Sequence, residues 1–196
     1  MAEGLRERRK EAIRQEVSQA GIKLFLKQGF EKTTIDEIVG PLGISRRTFF
    51  RHFETKEDLV FVWYEDLTKK LVTACAARPS EETPYEAVCA ALRGLLELYD
   101  ANPKWAKKMV KLASETPALV GKSHEKRAMW GRALAATIAK RMDKSPERDL
   151  YAEIIASTAI NAFALSVDTW YAEGGTRDLR ATVNAGLACA GQVGRR

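Results

Sequence analysis

The 196-residue chain is poor in the residues that build disulfide frames and metal sites, with 3 cysteines and 2 histidines. Cys75, Cys89 and Cys189 are odd in number, far apart and set among alanines and aliphatics. They read as small core residues, with a redox or metal role as the rival reading. His124 has no His, Cys or paired carboxylate at ligand spacing, so no metal site is expected. No segment approaches the roughly 20 uninterrupted apolar residues that span a bilayer. The opening MAEGLRERRKEAIRQEV lacks the apolar stretch of a signal peptide. A cytoplasmic protein without a membrane partner is expected. There is no GxGxxG, phosphate loop, Gly-x-Ser-x-Gly or zinc spacing, so neither an enzyme nor a bound cofactor is expected. The alternation that marks β-strands is also missing, which leaves an all-α chain.

What is present is positive charge, placed unevenly. The net charge is +6. Residues 1–56 hold 12 Lys/Arg against 8 Asp/Glu, and the other 140 hold 20 against 18. An anionic partner for the first quarter of the chain is one reading, and a solvated Arg/Glu-rich surface is the other.

About nine helices follow from periodicity and punctuation. Ile13, Val17, Ala20, Gly21, Leu24 and Phe25 form one apolar stripe on a helix from about Arg8 to Gln28, which Gly29 ends. Thr34 with Glu37 is a capping box for a short second helix stopping by Gly43. Gly40-Pro41 lies inside it, so it should bend or tighten there. Ser45 caps a third helix, from Arg46 to about Arg51, and Thr55 a fourth, running long to about Ala77. Thr83-Pro84 with Glu86 is another capping box, and Asn102-Pro103, Thr116-Pro117 and Ser145-Pro146 repeat the device. A last helix, capped by Thr176 after Gly174-Gly175, runs to about Gln192.

Two short helices joined by a tight turn suit DNA, because the second can lie in the major groove while the first crosses the backbone. Arg46 and Arg47 stand at the N-terminus of that second helix, where an Arg fork can bond guanine O6 and N7. Taken alone, Arg46, Arg47 and Arg51 read equally well as an exposed face. The leader Arg6, Arg8, Arg9, Lys10 reads either as a flexible arm reaching phosphates or as a solvated tail.

The run Gly29-Phe30, Thr33-Thr34-Ile35, Ile38, then Leu42-Gly43-Ile44-Ser45, Thr48-Phe49-Phe50, His52-Phe53, Lys56-Glu57 and Leu59 closely resembles the TetR family of regulators. The resemblance covers about 30 residues in order and spacing. It implies a helix-turn-helix DNA-binding domain over residues 1–55 and a C-terminal ligand-binding and dimerisation domain over 56–196. It places Thr34 on a phosphate and Ser45, Arg46, Arg47 and Thr48 on bases and adjacent phosphates. Phe50 falls where the family usually has a phosphate-bonding Tyr, and its ring is left to press on a thymine methyl. Arg51 lies on the same helix, His52 falls at a backbone-contacting position and Lys56 at a phosphate-pairing one. Phe49, Phe53, Ile38 and Ile44 read as the small core that sets the helix angle.

The same resemblance gives the C-terminal part a ligand cavity and a four-helix bundle with a second subunit, made by the last two helices. Trp63, Leu67, Leu95, Tyr99, Trp105, Met109, Trp130, Leu134 and Phe163 are bulky enough to wall such a cavity, or equally to be plain core. Asn161, on an otherwise apolar helix, bonds either a ligand or a neighbouring carbonyl, the carbonyl being preferred. Ala156, Ala159, Ala162, Ala164, Ala185 and Ala188 permit close helix approach, between subunits or within one. The reading head is also similar to that of the mycofactocin-type regulators, some of which answer to long-chain acyl-coenzyme A; Lys104, Lys107, Lys108 and Lys111 would then face its phosphates. The implied function is a repressor, a homodimer on a palindromic double-stranded operator, released by a small apolar effector. Ligand would shift helices six and seven, and helix four would act as the lever. The alternative is a DNA-bound protein of the same fold that recruits a protein partner.

Overall fold

The computed structural model describes residues 2–192, with the side chains of residues 2, 3 and 5–7 outside the described set. It is all-α among these residues: α1 (Ala2–Gln28), α2 (Ile35–Val39), α3 (Arg46–His52), α4 (Tyr64–Ala76), α5 (Pro84–Gly94), α6 (Leu96–Ala101), α7 (Pro103–Glu115), α8 (Pro117–Ile138), α9 (Arg148–Ala172) and α10 (Leu179–Ala190). Only Leu95 separates α5 from α6, so the pair counts as one interrupted helix and the expected nine are recovered. Short 3-10 turns occupy Gly40–Leu42, Glu57–Phe61 and Ala139–Arg141.

Several boundaries differ from those read in the sequence. The basic leader is no arm but the first turns of α1, where Glu, Leu, Arg, Lys and Ala all favour helix; the side chain of Arg6 lies outside the described residues. At Gly40-Pro41 the chain tightens into a 3-10 turn, as the missing proline N–H requires. Thr55 does not cap a long fourth helix: the Asp58 carboxylate accepts from the N–H groups of Glu54 and Thr55 at 3.1 and 2.9 Å. A 3-10 turn follows, and α4 starts only at Tyr64. The reason is the run Leu59-Val60-Phe61-Val62, all four at most 5% exposed, which no single helix face can bury. Ser18 on α1 also takes the Leu59 carbonyl, donating its hydroxyl at 2.6 Å. Gly21 lets α1 approach, since a Cβ there would lie 2.6 Å from Leu59 Cδ1. Asp178, not Thr176, caps α10, accepting from Arg180 and Ala181 N–H. Ser145 offers only its main-chain carbonyl, to Arg148 N–H. Thr83 and Asn102 cap as expected, and Thr116 stands at its N-cap without a side-chain bond.

Two apolar cores result. The larger joins α4, α5, α8, α9 and α10, and contains Cys75 and Cys89. Cys189, expected in the core, is exposed on α10. The smaller core holds Val17, Phe25, Ile38, Phe49 and Phe53 of the first three helices with Leu59 to Val62, and continues into Met109 and Leu112 of α7 and Leu119 of α8. α9 is apolar enough by length and composition to cross a membrane. Ala152, Ala156, Ala159, Ile160, Phe163, Val167 and Trp170 on it are buried within the bundle. Leu150, Tyr151, Ile154 and Leu165 remain at least half exposed.

Candidate DNA-binding head and ligand cavity

The two short helices of the head are fixed by local chemistry. Thr34 and Glu37 form the expected reciprocal capping box at α2. The Thr34 N–H and hydroxyl both donate to the Glu37 carboxylate, favour its charged form and, with Gln28, hold its pKa low. The turn into α3 needs the left-handed backbone of Gly43, φ 65°. It is closed by Gly43 N–H to Gly40 O and Ile44 N–H to Val39 O, at 3.0 and 3.1 Å. Ser45 then caps α3, its hydroxyl oxygen accepting from Thr48 N–H at 3.1 Å. Phe49, Phe53 and Ile38 are at most 3% exposed and form the core beneath, with Ile44 half-buried against it.

This arrangement turns Arg46, Arg47, Phe50 and Arg51 outward on α3, with Ser45 exposed beside them and Thr48 half-buried. Thr34 is exposed at the head of α2, though its hydroxyl already donates to Glu37. Arg46 makes a surface ion pair with Asp36 at 3.3 Å, which a DNA anion can replace at little cost.

Two residues lie differently from expectation. Both ring nitrogens of His52 are shielded from solvent without a partner. Burial, then the charges of Arg51, Arg14 and Lys10, hold its pKa below the ordinary histidine value, so the ring is neutral near pH 7 and is not offered to solvent. The Lys56 ammonium donates to the carbonyls of Phe30 and Thr33 at 2.7 and 3.0 Å and sits over the Phe30 ring at 4.2 Å. It ties the loop before α2 to the start of the next segment, with one N–H direction left over. Sequence reading missed Arg14, which donates to the His52 carbonyl at 3.2 Å and lies over the Phe53 ring, pinning the end of α3 to α1. Nothing local marks it, because its partners are far along the chain.

A cavity of 620 Å³ opens among the segment before α4, α4, Leu95 with α6, and α7, α8 and α9. Trp63, Leu67, Leu95, Tyr99, Trp105, Met109, Trp130, Asn161 and Phe163 all line it. Leu134 does not: it is fully buried in the larger core. Asn161 is exposed, and no bond from its side chain to a carbonyl is found among the described residues. Lys104, Lys107, Lys108 and Lys111 lie outside the lining. Lys107 donates to the Gly174 carbonyl and Lys111 pairs with Glu115 at 3.6 Å. The walls are heavily aromatic, with Tyr64 stacked on Trp130 at 4.7 Å and Trp63 tilted against Trp105 at 5.7 Å. Burial pushes the Tyr64 phenol up to about 12 against the opposing effect of Arg127, and raises Tyr99 as well.

Beyond Asn161, five polar lining residues were not read as cavity residues in the sequence: Ser123, His124 and Arg127 on α8, Ser114 on α7 and Asp168 on α9. The Arg127 Nε and the Trp130 indole N–H are buried and have no acceptor. Val60, Phe61 and Met109 line the cavity and also belong to the core of the head.

Residues 18–62 match the family model described as bacterial regulatory proteins of the TetR family, and residues 82–192 match that of the MftR C-terminal domain. The chain belongs to the TetR family. Among curated relatives, the TetR-family chain is 31% identical over 143 residues to the HTH-type transcriptional regulator TcmR of Streptomyces glaucescens, covering 68% of this chain and 63% of TcmR. It is 23% identical over 163 residues to the mycofactocin biosynthesis transcriptional regulator MftR of Mycobacterium tuberculosis, covering 83% and 82%. Among solved structures, Thermus thermophilus FadR, a TetR-family repressor in complex with lauroyl-CoA, superposes with a TM-score of 0.59 at 21% identity over 90% of this chain and 92% of that one. A TetR-family regulator from Syntrophomonas wolfei gives 0.60 at 17%, over 92% and 93%. At these identities the structures support the fold. The chain spans less than two thirds of the length of TcmR, and the N-terminal family model and both curated relatives carry the names of regulatory proteins.

Proposed function

We propose that this regulator is a repressor that holds operator DNA as a homodimer in the bacterial cytoplasm, residues 1–55 reading and 56–196 sensing, and that an apolar ligand in the cavity releases it. The observation that carries this reading is the shared wall: Val60, Phe61 and Met109 face the cavity on one side and the core of the head on the other. A ligand that repacks them favours one placement of the head over another, which is what release requires. The ion pair from Lys122 on α8 to Asp58, 3.1 Å, adds a polar link from the cavity helix to the turn that follows α3. Coupling thus runs through the 57–61 turn and α7 rather than along one long fourth helix.

Ser45, Arg46, Arg47, Thr48, Phe50 and Arg51 on α3, with Thr34 on α2, form the DNA face; the third N–H of Lys56 adds a phosphate donor. For the dimer, the exposed apolar stripe Leu150, Ile154 and Leu165 on α9 and the exposed Ala185 and Ala188 on α10 supply a surface for a second copy. Ala156 and Ala159 are buried within the subunit. A twofold dimer places its recognition helices on half-sites about 34–36 Å apart, hence a palindromic operator. FadR was solved with lauroyl-CoA, and an acyl chain is one candidate occupant of so apolar a space. An open, apolar interior favours sensing over recruitment of a protein partner.

The test is a DNA-binding selection with the purified protein, repeated with a metabolite panel. One enriched palindrome, lost on adding a compound that binds the chain one-to-one, is expected. Operator affinity unchanged at saturation with such a compound would overturn the sensing half.

A further inference from the structure

His124, Arg127 and Trp130 follow one another at three-residue steps on α8 and share the face that lines the cavity. Arg127 is half-buried, and its described polar contact is with the His124 ring, 3.0 Å from Nη2. No carboxylate pairs with it among the described residues. Lys122, five residues earlier on α8, behaves otherwise: Asp58 and Glu125 each lie 3.1 Å from its ammonium. Arg127 Nε is buried without an acceptor, and so is the indole N–H of Trp130, a side chain only 7% exposed. A buried donor without an acceptor forfeits the bond it made in water, and a charged one forfeits more. Both side chains belong to the cavity wall, and an oxygen brought by a ligand, with a small local shift of these side chains, would satisfy donors that the protein leaves without an acceptor.

The rest of the wall says what carries that oxygen. Phe61, Trp63, Tyr64, Tyr99, Trp105, Trp130 and Phe163 give the cavity seven aromatic faces, which suit a flat unsaturated body over a flexible aliphatic one. Asp168 on α9, approached by the Ser114 hydroxyl at 3.4 Å, is the one carboxylate in the lining and disfavours an anion at its end. The acidic end is thereby directed to α8.

We infer, building on the sensing role proposed above, that the effector is an aromatic acid: a flat, largely apolar compound with one ionised oxygen group, received by Arg127 and Trp130.

Two fluorescent probes with the same rings separate the two layers of this reading. 8-Anilino-1-naphthalenesulfonate carries an anion, and N-phenyl-1-naphthylamine does not. Each is titrated into the full chain and into the Arg127→Met, Arg127→Lys and Trp130→Phe variants, with Lys140→Gln as a distant charge control and circular dichroism to verify folding. The wild type should bind the sulfonate more tightly than the amine. Arg127→Met should weaken the sulfonate about tenfold or more, the loss of a charge-assisted bond, and leave the amine within about twofold. Arg127→Lys should keep most of the sulfonate affinity. Trp130→Phe, which keeps a ring against Tyr64 and should fold whether or not Arg127→Met does, should weaken the sulfonate selectively. Equal binding of both probes, or sulfonate binding indifferent to Arg127 and Trp130, overturns the inference and leaves the cavity as a sensor of neutral compounds. Failure of both probes to bind overturns the sensing reading itself, and the aromatic acid with it.

Discussion

At the scale of single residues, the groups that were legible in the sequence are those whose partners lie within four positions. Thr34, Ser45, Thr83 and Asn102 each cap a helix through a backbone N–H three residues on, so type and spacing sufficed. Lys56 was only half legible, because its two carbonyl acceptors stand 26 and 23 residues away. Its substitution should therefore show twice. Lys56→Met is expected to weaken operator binding and also to lower stability by about 1–3 kcal/mol, since two part-buried carbonyls lose a charged donor; a urea melt of the DNA-free protein reads the second effect. Phe50, 51% exposed on α3, is the opposite case, an outward ring without a hydroxyl. Restoring one with Phe50→Tyr should tighten operator binding by about two- to tenfold in fluorescence anisotropy, the worth of one hydrogen bond of about 0.5–1.5 kcal/mol. An unchanged affinity would place that ring away from the phosphates.

At the scale of elements, the largest departure was the stretch 57–61. Periodicity there was ambiguous because Leu59 to Val62 are buried on all sides, between α1 and the C-terminal helices. A sequence shows such a run but not the two bodies it lies between. Asp58 holds this turn. Burial pushes its carboxyl up, but the Thr55 N–H and Lys122 outweigh that and hold it below the ordinary carboxylate value. A lowered folded pKa stabilises above the unfolded value, near 4, and that contribution disappears as pH falls through the folded value. Urea stability should thus decline below about pH 4, and Asp58→Asn should flatten that decline while lowering stability at pH 7. Lys122 is shifted the other way: burial lowers its pKa, and Asp58 and Glu125 more than restore it. Its contribution is intact below the ordinary lysine value and is lost only in strong alkali. The place of His124 and Arg127 beside Trp130 on the cavity wall was illegible for a related reason. A three-residue spacing of polar and aromatic side chains acquires meaning only once the facing walls are known.

At the scale of the molecule, the all-α class and the reading head followed from the sequence, while the cavity's outline was foreshadowed by its bulky residues and its chemistry was not. Leu134 shows the limit, since a leucine one turn beyond Trp130 enters the larger core and not the cavity. The proposed dimer is the level at which α9 is judged. Ile154 is 53% exposed within the stripe on this helix and lies outside the cavity lining. Ile154→Arg should convert the dimer to monomer in sedimentation velocity and reduce operator affinity steeply, with little change in helix content. A dimer that persists would place the interface on another face.

The wall shared by Val60, Phe61 and Met109 also divides the cavity for anyone wishing to redirect this protein to a new inducer. Positions on α9 and the outer part of α7, such as Phe163, Ala164 and Ala113, touch ligand space without belonging to the head's core. They can be diversified while the uninduced state stays intact. Changes at the shared wall alter the head even when the cavity is empty, so a library that includes them should fill with regulators permanently on or permanently off. On the proposed sensing role, specificity and leakiness are thus separable in this molecule.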